Sequence, residues 1–263
     1  MKRLLITGAA GNVGKMARER LAHLADTIRL SDIAPMDPAG PNEEVIQCDL
    51  ADYDAVNQLV QGCDGILHLG GVSVERTYDL IESGNLRGVH NLYEAARANG
   101  MPRIVFASSN HTIGYYPQDQ RLTTDMPTRP DGWYGISKVF GEAVAQMYHA
   151  KFGQETALVR IGSCFERPVD RRMMATWFSY DDFCSLMERI FAVPKLGCPV
   201  IWGVSANTCG WWDNSHVNWL GWSPKDNSET YREEVEKLPP RPADAPDVLW
   251  QGGMFTADPI FKD

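Results

Sequence analysis

The sequence holds six cysteines in 263 residues, and none forms a C-x-x-C pair or lies at zinc-finger distance from a histidine. A metal site is therefore not expected. Cys48, Cys63, Cys164, Cys184, Cys198 and Cys209 read as small buried hydrophobes in a reducing compartment. Long apolar runs are missing too. The N-terminal run ends at Ile6, broken by Gly8 and Gly11, too short for a signal core, and no later stretch approaches a membrane span. A cytoplasmic protein is the resulting expectation. Positive charge is in deficit: 25 Lys and Arg against 34 Asp and Glu leave a formal net charge of -9. No broad basic surface is at hand for a nucleic acid or an anionic membrane, so neither is expected as a partner. Any anionic ligand has to be held by local groups against the overall field. Internal repeats and low-complexity tracts are also lacking; only Leu238 to Pro246 reads as a proline-rich surface linker.

What is present suffices for a full core, with 44% hydrophobic and 22% charged residues. Over the first 160 or so residues, short apolar runs alternate with amphipathic stretches, the pattern of βαβ units on a parallel sheet. Strands are expected at Arg3–Thr7, Thr27–Asp32, Glu44–Gln47, Gly65–His68, Arg103–Ala107 and Thr156–Ile161. Helices are expected after the first glycine turn to about Leu24, and over Ala51–Gln61, Leu86–Asn99 and Asp131–Phe152. After Gly162 the character changes. Met173–Val193 reads as helix, but the remainder is rich in Trp, Pro, Gly and Asn. Residues 1–162 are thus expected to form the sheet domain, and 163–263 a smaller substrate-binding region on the carboxyl edge of the sheet. Trp211, Trp212, Trp219 and Trp222 read chiefly as packing residues, with stacking on a sugar ring as the other use of such side chains.

The segment Gly8-Ala9-Ala10-Gly11-Asn12-Val13-Gly14 lies where the first strand gives way to a helix. In a dinucleotide-binding turn one glycine makes the tight bend, one admits a pyrophosphate to the backbone, and one lets helix meet strand. The phosphates would rest on the helix N-terminus. The G-x-x-G-x-x-G spacing alone is a weak signal, and Asp32 strengthens it. That acid stands at the end of the second strand, where it can accept hydrogen bonds from an adenosine ribose and repel a 2′-phosphate. NAD is favoured over NADP. A Rossmann fold follows: α/β, a doubly wound parallel sheet with helices on both faces.

Tyr134 and Lys138 are four apart at the start of a helix and share one face. A phenol with its usual pKa near ~10 is a poor base at neutral pH; a neighbouring ammonium and a cationic nicotinamide ring favour its phenolate. Ser109 follows the fifth strand at the carboxyl edge, placed to hold the reacting oxygen while Tyr134 takes the proton.

The turn, Asp32, Asp49-Leu50, the Ser109 segment and the Tyr134/Lys138 pair together resemble the extended short-chain dehydrogenase/reductase family over about the first 165 residues. The resemblance implies a Ser-Tyr-Lys triad with NAD(P), Asp49 and Leu50 near the adenine, Leu69, Gly70 and Gly71 lining the cofactor channel, and Lys138 on the nicotinamide ribose. Homo-oligomers are common in that family. Ala107 to Pro117, Arg160 to Cys164 and Gly210 to Ser215 are similar to its bacterial branch that oxidises C1 of D-glucuronate or D-galacturonate with NAD+ to an aldarolactone. That narrower likeness implies Ser73, Asn110, His111, Ser163 and Arg172 around a uronic acid, with Arg172 or Ser163 on its carboxylate. Arg171 stands beside Arg172 as an alternative anchor. Two other readings share the motifs. A nucleotide-sugar epimerase or dehydratase holds its NAD tightly and usually has a longer C-terminal domain. A redox-sensing Rossmann protein often lacks the Tyr/Lys pair.

Overall fold

In β1 (Arg3–Thr7) four consecutive residues are buried, where a half-exposed strand would bury alternate ones. A central parallel strand covered by helices on both faces requires this. Leu4 and Ile6 enter one core cluster and Leu5 the opposite one, the two-residue alternation of a pleated strand. In the computed structural model, which describes residues 1–261, there follow α1 (Asn12–Arg20), β2 (Thr27–Asp32), β3 (Glu43–Gln47), α2 (Tyr53–Val60) and β4 (Gly65–His68). Next come α3 (Tyr78–Ile81), α4 (Gly88–Ala98), β5 (Arg103–Ser109), α5 (Trp133–Phe152) and β6 (Thr156–Ile161). The chain continues through β7 (Ser163–Cys164), α6 (Met173–Thr176), β8 (Trp177–Phe178), α7 (Tyr180–Ala192) and β9 (Val200–Gly203).

Seven strands pair in parallel in the order β3-β2-β1-β4-β5-β6-β9. One face packs on α1 and α7 through Met16, Ala17, Phe183, Leu186 and Ile190. The other packs on α2, α4 and α5 through Val56, Leu59, Leu92, Tyr93 and Tyr148. This is the doubly wound Rossmann arrangement. From β1 the chain winds outward to β2 and β3, then returns to β4 on the other side of β1. The reversal opens a crevice beyond the carboxyl ends of β1 and β4, where ligands of open α/β sheets bind.

Three segments differ from the sequence reading. The helix expected from Asp131 starts at Trp133, because Asp131 is drawn to His111 and the first helical N–H groups are capped from elsewhere. The stretch Met173–Val193 breaks into α6, β8 and α7; Trp177 and Phe178 pair with Ser163 and Cys164 instead of continuing a helix. Residues 163–263 also contribute to the main sheet, since β9 completes its edge beside β6 and α7 joins its core. No helix among the described residues is long and apolar enough to cross a membrane.

Candidate active site

The chain leaves β1 through Gly8, whose φ of +70° lies in the left-handed region. A Cβ there would also meet the Leu69 carbonyl carbon at 2.6 Å. A Cβ on Gly14 would fall 2.2 Å from the Gly8 oxygen, so α1 rests directly on the turn. Gly11 precedes α1 with no side-chain cap and no acid in the first turn, which leaves the helix N-terminus open to an anion. Asp32 braces this loop: its carboxylate accepts from the Ala10 N–H at 2.9 Å and the Ala34 N–H at 3.0 Å.

Gly8, Gly11, Asn12, Val13, Gly14, Asp32, Leu69 and Gly71 line one cavity of about 370 Å³, together with Ser73, Ser109, Asn110, His111, Tyr134 and Lys138. A neighbouring hollow of about 410 Å³ shares Gly8, Asp32 and Gly71 and adds Asp49, Leu50 and Gly70. The glycine cradle, the open helix terminus and Asp32 fit NAD: side chains are absent where the backbone must approach phosphate, and an acid stands at the end of β2. Ser163 and Arg172 line neither cavity; they lie behind Asn110.

The groups at the reacting end are buried. Tyr134 and Lys138 enter on the first turns of α5, and the Lys138 Nζ lies 5.5 Å from the Tyr134 ring centroid and 5.2 Å from that of Phe106. Burial pulls the Lys138 ammonium down to about 8. It pushes the Tyr134 phenol up to about 12, opposed by a hydrogen bond with Ser109 and reinforced by the Asp131 charge. Desolvation thus holds the phenol above its ordinary range in the protein alone. Behind the pair, His68 is held neutral, down to about 3, by burial and then by the Lys138 charge; its Nδ1 lies 2.8 Å from Thr7 Oγ1.

Two supports for this helix lay outside the sequence reading. Buried Glu75, two residues after Ser73, accepts the Trp133 and Tyr134 N–H groups, both at 2.9 Å, with its two carboxylate oxygens. It thereby caps α5 where the dipole favours negative charge. A Cβ at Gly132 would sit 2.3 Å from that carboxylate, so the glycine makes room for it. Asn85, in the π-helical segment Glu82–Arg87 between α3 and α4, bonds both main-chain groups of Val72 and donates to Ser137 Oγ at 2.8 Å.

At the far end the two candidate arginines separate. Arg171 donates to the Glu236 and Leu238 carbonyls on the exposed surface (2.9 and 2.7 Å). Arg172 turns inward. Its Nε donates to the Gln251 carbonyl at 2.7 Å and its Nη1 faces Ser163 Oγ at 3.5 Å. The Asn110 amide is oriented so that its nitrogen donates to the Ile161 carbonyl (3.1 Å) and its oxygen accepts from Arg172 Nη2 (2.6 Å). Burial lowers Arg172 to about 10, with more distant Asp170 and Asp131 opposing. Its guanidinium has no direct carboxylate partner among the described residues.

Of the four clustered tryptophans, Trp211, Trp212 and Trp222 serve packing. Trp212 stacks on Trp202 at 4.9 Å in a third core cluster, with Trp211 against it, and Trp222 packs on the main core, while Trp219 is exposed. None of Trp211, Trp212, Trp219 and Trp222 lines the two cavities. An aromatic that does reach the site is Phe255, whose ring stacks on His111 at 3.9 Å. Nothing in the local pattern around Phe255 signals that contact; for Glu75 the one available signal was the glycine just before the Tyr134 helix.

The sequence model of the NAD dependent epimerase/dehydratase family matches residues 4–177. The chain is 64% identical to a uronate dehydrogenase of Agrobacterium fabrum, over all of this chain and 99% of the relative. It is 53% identical to a uronate dehydrogenase of Pseudomonas putida, over 96% of this chain and 95% of the relative. Among solved structures, a tyrosine-to-alanine variant of the uronate dehydrogenase from Agrobacterium tumefaciens, complexed with NAD, superposes with a TM-score of 0.99. The two are 62% identical and the match covers all of both chains.

Proposed function

The chain belongs to the NAD dependent epimerase/dehydratase family, and from that footing we propose that it oxidises C1 of a uronic acid, D-glucuronate or D-galacturonate, with NAD+ to give the aldarolactone. The observation that carries this reading is the half-buried Arg172 guanidinium, which donates to Asn110 behind the wall of the cavity that holds Ser109, Tyr134 and Lys138 and has no direct carboxylate partner among the described residues. Desolvation disfavours the charged guanidinium, and an acidic sugar would bring a carboxylate to pair with it. Binding a neutral sugar would leave the charge uncompensated, which is the basis of strong discrimination.

Bound NAD+ supplies the hydride acceptor and, through its cationic ring, the positive charge that favours a phenolate at neutral pH. The remaining work falls to the chain's own side chains. Ser109 and Tyr134 take the anomeric hydroxyl. Tyr134 removes its proton as C1 gives up its hydride and the C1–oxygen double bond forms, and Lys138 supports the phenolate. The ring oxygen is already bonded to C1, so the product is a lactone and no water has to be activated. Asp32 holds the adenosine ribose, Asp49 and Leu50 flank the adenine, and Ser73, Asn110, His111 and Ser163 surround the sugar. As part of the same reading, the protein works in the cytoplasm, supported by its six unpaired cysteines, and assembles with copies of itself, supported by exposed Ile136 and Met147 on α5.

The test is a spectrophotometric screen of NADH formation with both uronates and their neutral parent sugars. Net NADH with the acids only is expected. No net NADH from either acid, or equal rates with the neutral sugars, overturns the proposal; isomerised substrate with no NADH would indicate an epimerase.

A further inference from the structure

Asp131 has no part in the chemistry above, yet it is built into the sugar end with care for its volume. Its side chain is 1% exposed, and Oδ2 lies 2.7 Å from His111 Nδ1. A Cβ on either Gly114 or Gly252 would fall 2.0 Å from that oxygen, so two glycines from separate segments clear the space it fills. The other oxygen, Oδ1, is buried without a hydrogen-bond partner. No lysine or arginine pairs with this carboxylate among the described residues. An enclosed acid with half its acceptor capacity unused is expensive. It also works against the base, since its charge raises the Tyr134 phenol. Its contact with His111 is what it provides in return.

The imidazole is held on three sides. Phe255 stacks on one face at 3.9 Å with an interplanar angle of 16°, Tyr134 meets it edge-on at 5.7 Å, and Asp131 takes Nδ1. His111 lines the cavity beside Ser109 and Tyr134, and its Nε2 has no partner among the described residues. A carboxylate is acceptor-only, so Nδ1 must carry the proton, and a neutral ring then presents Nε2 as an acceptor.

We propose that Asp131 is a positioning residue that holds His111 in its Nδ1–H form, with Nε2 turned to the cavity to accept a hydrogen bond from a hydroxyl of the bound sugar. The inference rests on the uronate reading and adds a second polar determinant beside Arg172: Arg172 recognises the acid group, His111 a ring hydroxyl. Asp131 contributes to sugar recognition only through the imidazole.

A double-mutant cycle tests it. D131N is expected to lower kcat/KM for the preferred uronate by roughly tenfold to a hundredfold while NAD+ affinity stays the same. H111A should cost about as much, and D131N introduced into H111A should cost nothing further. Multiplying losses in the double variant would mean that Asp131 does not act through His111, and the proposal fails. Nitrogen NMR of the wild-type imidazole at mildly alkaline pH provides a readout independent of any variant's folding. The proton should reside on Nδ1, and a His111 protonated on Nε2 alone overturns the inference. Should the wild-type protein form no NADH with uronates, the functional reading falls, and the tautomer measurement still decides the Asp131 claim.

Discussion

Lys138 is an ammonium in a place that disfavours charge, and replacing it should reveal how much stability the site gives up. The fall from the usual 10.5 to about 8 comes from desolvation alone, and corresponds to about 3 kcal/mol against the charged form at neutral pH. Lys138→Met keeps the stem that packs near Phe106 and Tyr134 and removes the charge. The variant should be inactive yet more stable at pH 7 by about 2–3 kcal/mol, a melting point higher by roughly 5 °C. The pH dependence gives a sharper test. Below pH 8 folded and unfolded chains both carry the proton, and the penalty is present in full. Between about 8 and 10.5 the folded chain has lost the proton and the unfolded chain retains it, so wild-type stability rises with pH. The advantage of Lys138→Met should therefore shrink across that window and vanish above it. Urea titrations of both proteins without added NAD+, at several pH values, measure the difference while other titrating groups cancel. A variant no more stable than wild type at pH 7, or a gap independent of pH, would refute the reasoning.

Two further outcomes follow from the site. Asp32→Ala should weaken NAD+ binding by roughly tenfold to a hundredfold and NADP+ binding less, if the lost carboxylate is the group that would accept from the ribose and repel a 2′-phosphate; fluorescence titration showing the larger loss for NADP+ would remove Asp32 from the ribose. Arg172→Met should raise KM for uronates by roughly tenfold to a few hundredfold, the loss of one or two hydrogen bonds to a charged group. An unaltered KM with normal folding would move the carboxylate elsewhere.

The parts of the site legible in the sequence are those whose chemistry is local. Gly8, Gly11 and Gly14 sit within one turn, Asp32 ends the next strand, and Tyr134 and Lys138 are one helical turn apart, so short stretches in combination offered them as candidates where no single spacing would. The parallel sheet was legible for a similar reason, since each βαβ unit is a short-range pattern. Residues whose meaning depends on distant partners were not. Glu75 caps a helix that begins 58 residues later, Asp131 reads as the first residue of that helix until His111 is seen beside it, and Phe255 reaches His111 from the end of the described chain. Arg171 and Arg172 are indistinguishable by composition, and only the fold sends one to the Glu236 and Leu238 carbonyls and the other to Asn110. The break at Trp177 is not legible in the sequence because its pairing with Ser163 is tertiary, and the apolar run alone is compatible with either helix or strand.

The Glu75 cap ties together two pieces that enzyme engineers usually treat as separable. The loop that carries Ser73 and the helix that presents Tyr134 share one ionic clasp, so a graft that retunes sugar preference between β4 and α3 alters the seat of the proton acceptor at the same stroke. Any replacement loop has to bring an acid at position 75 and leave Gly132 untouched; otherwise a change intended for selectivity will register as lost turnover.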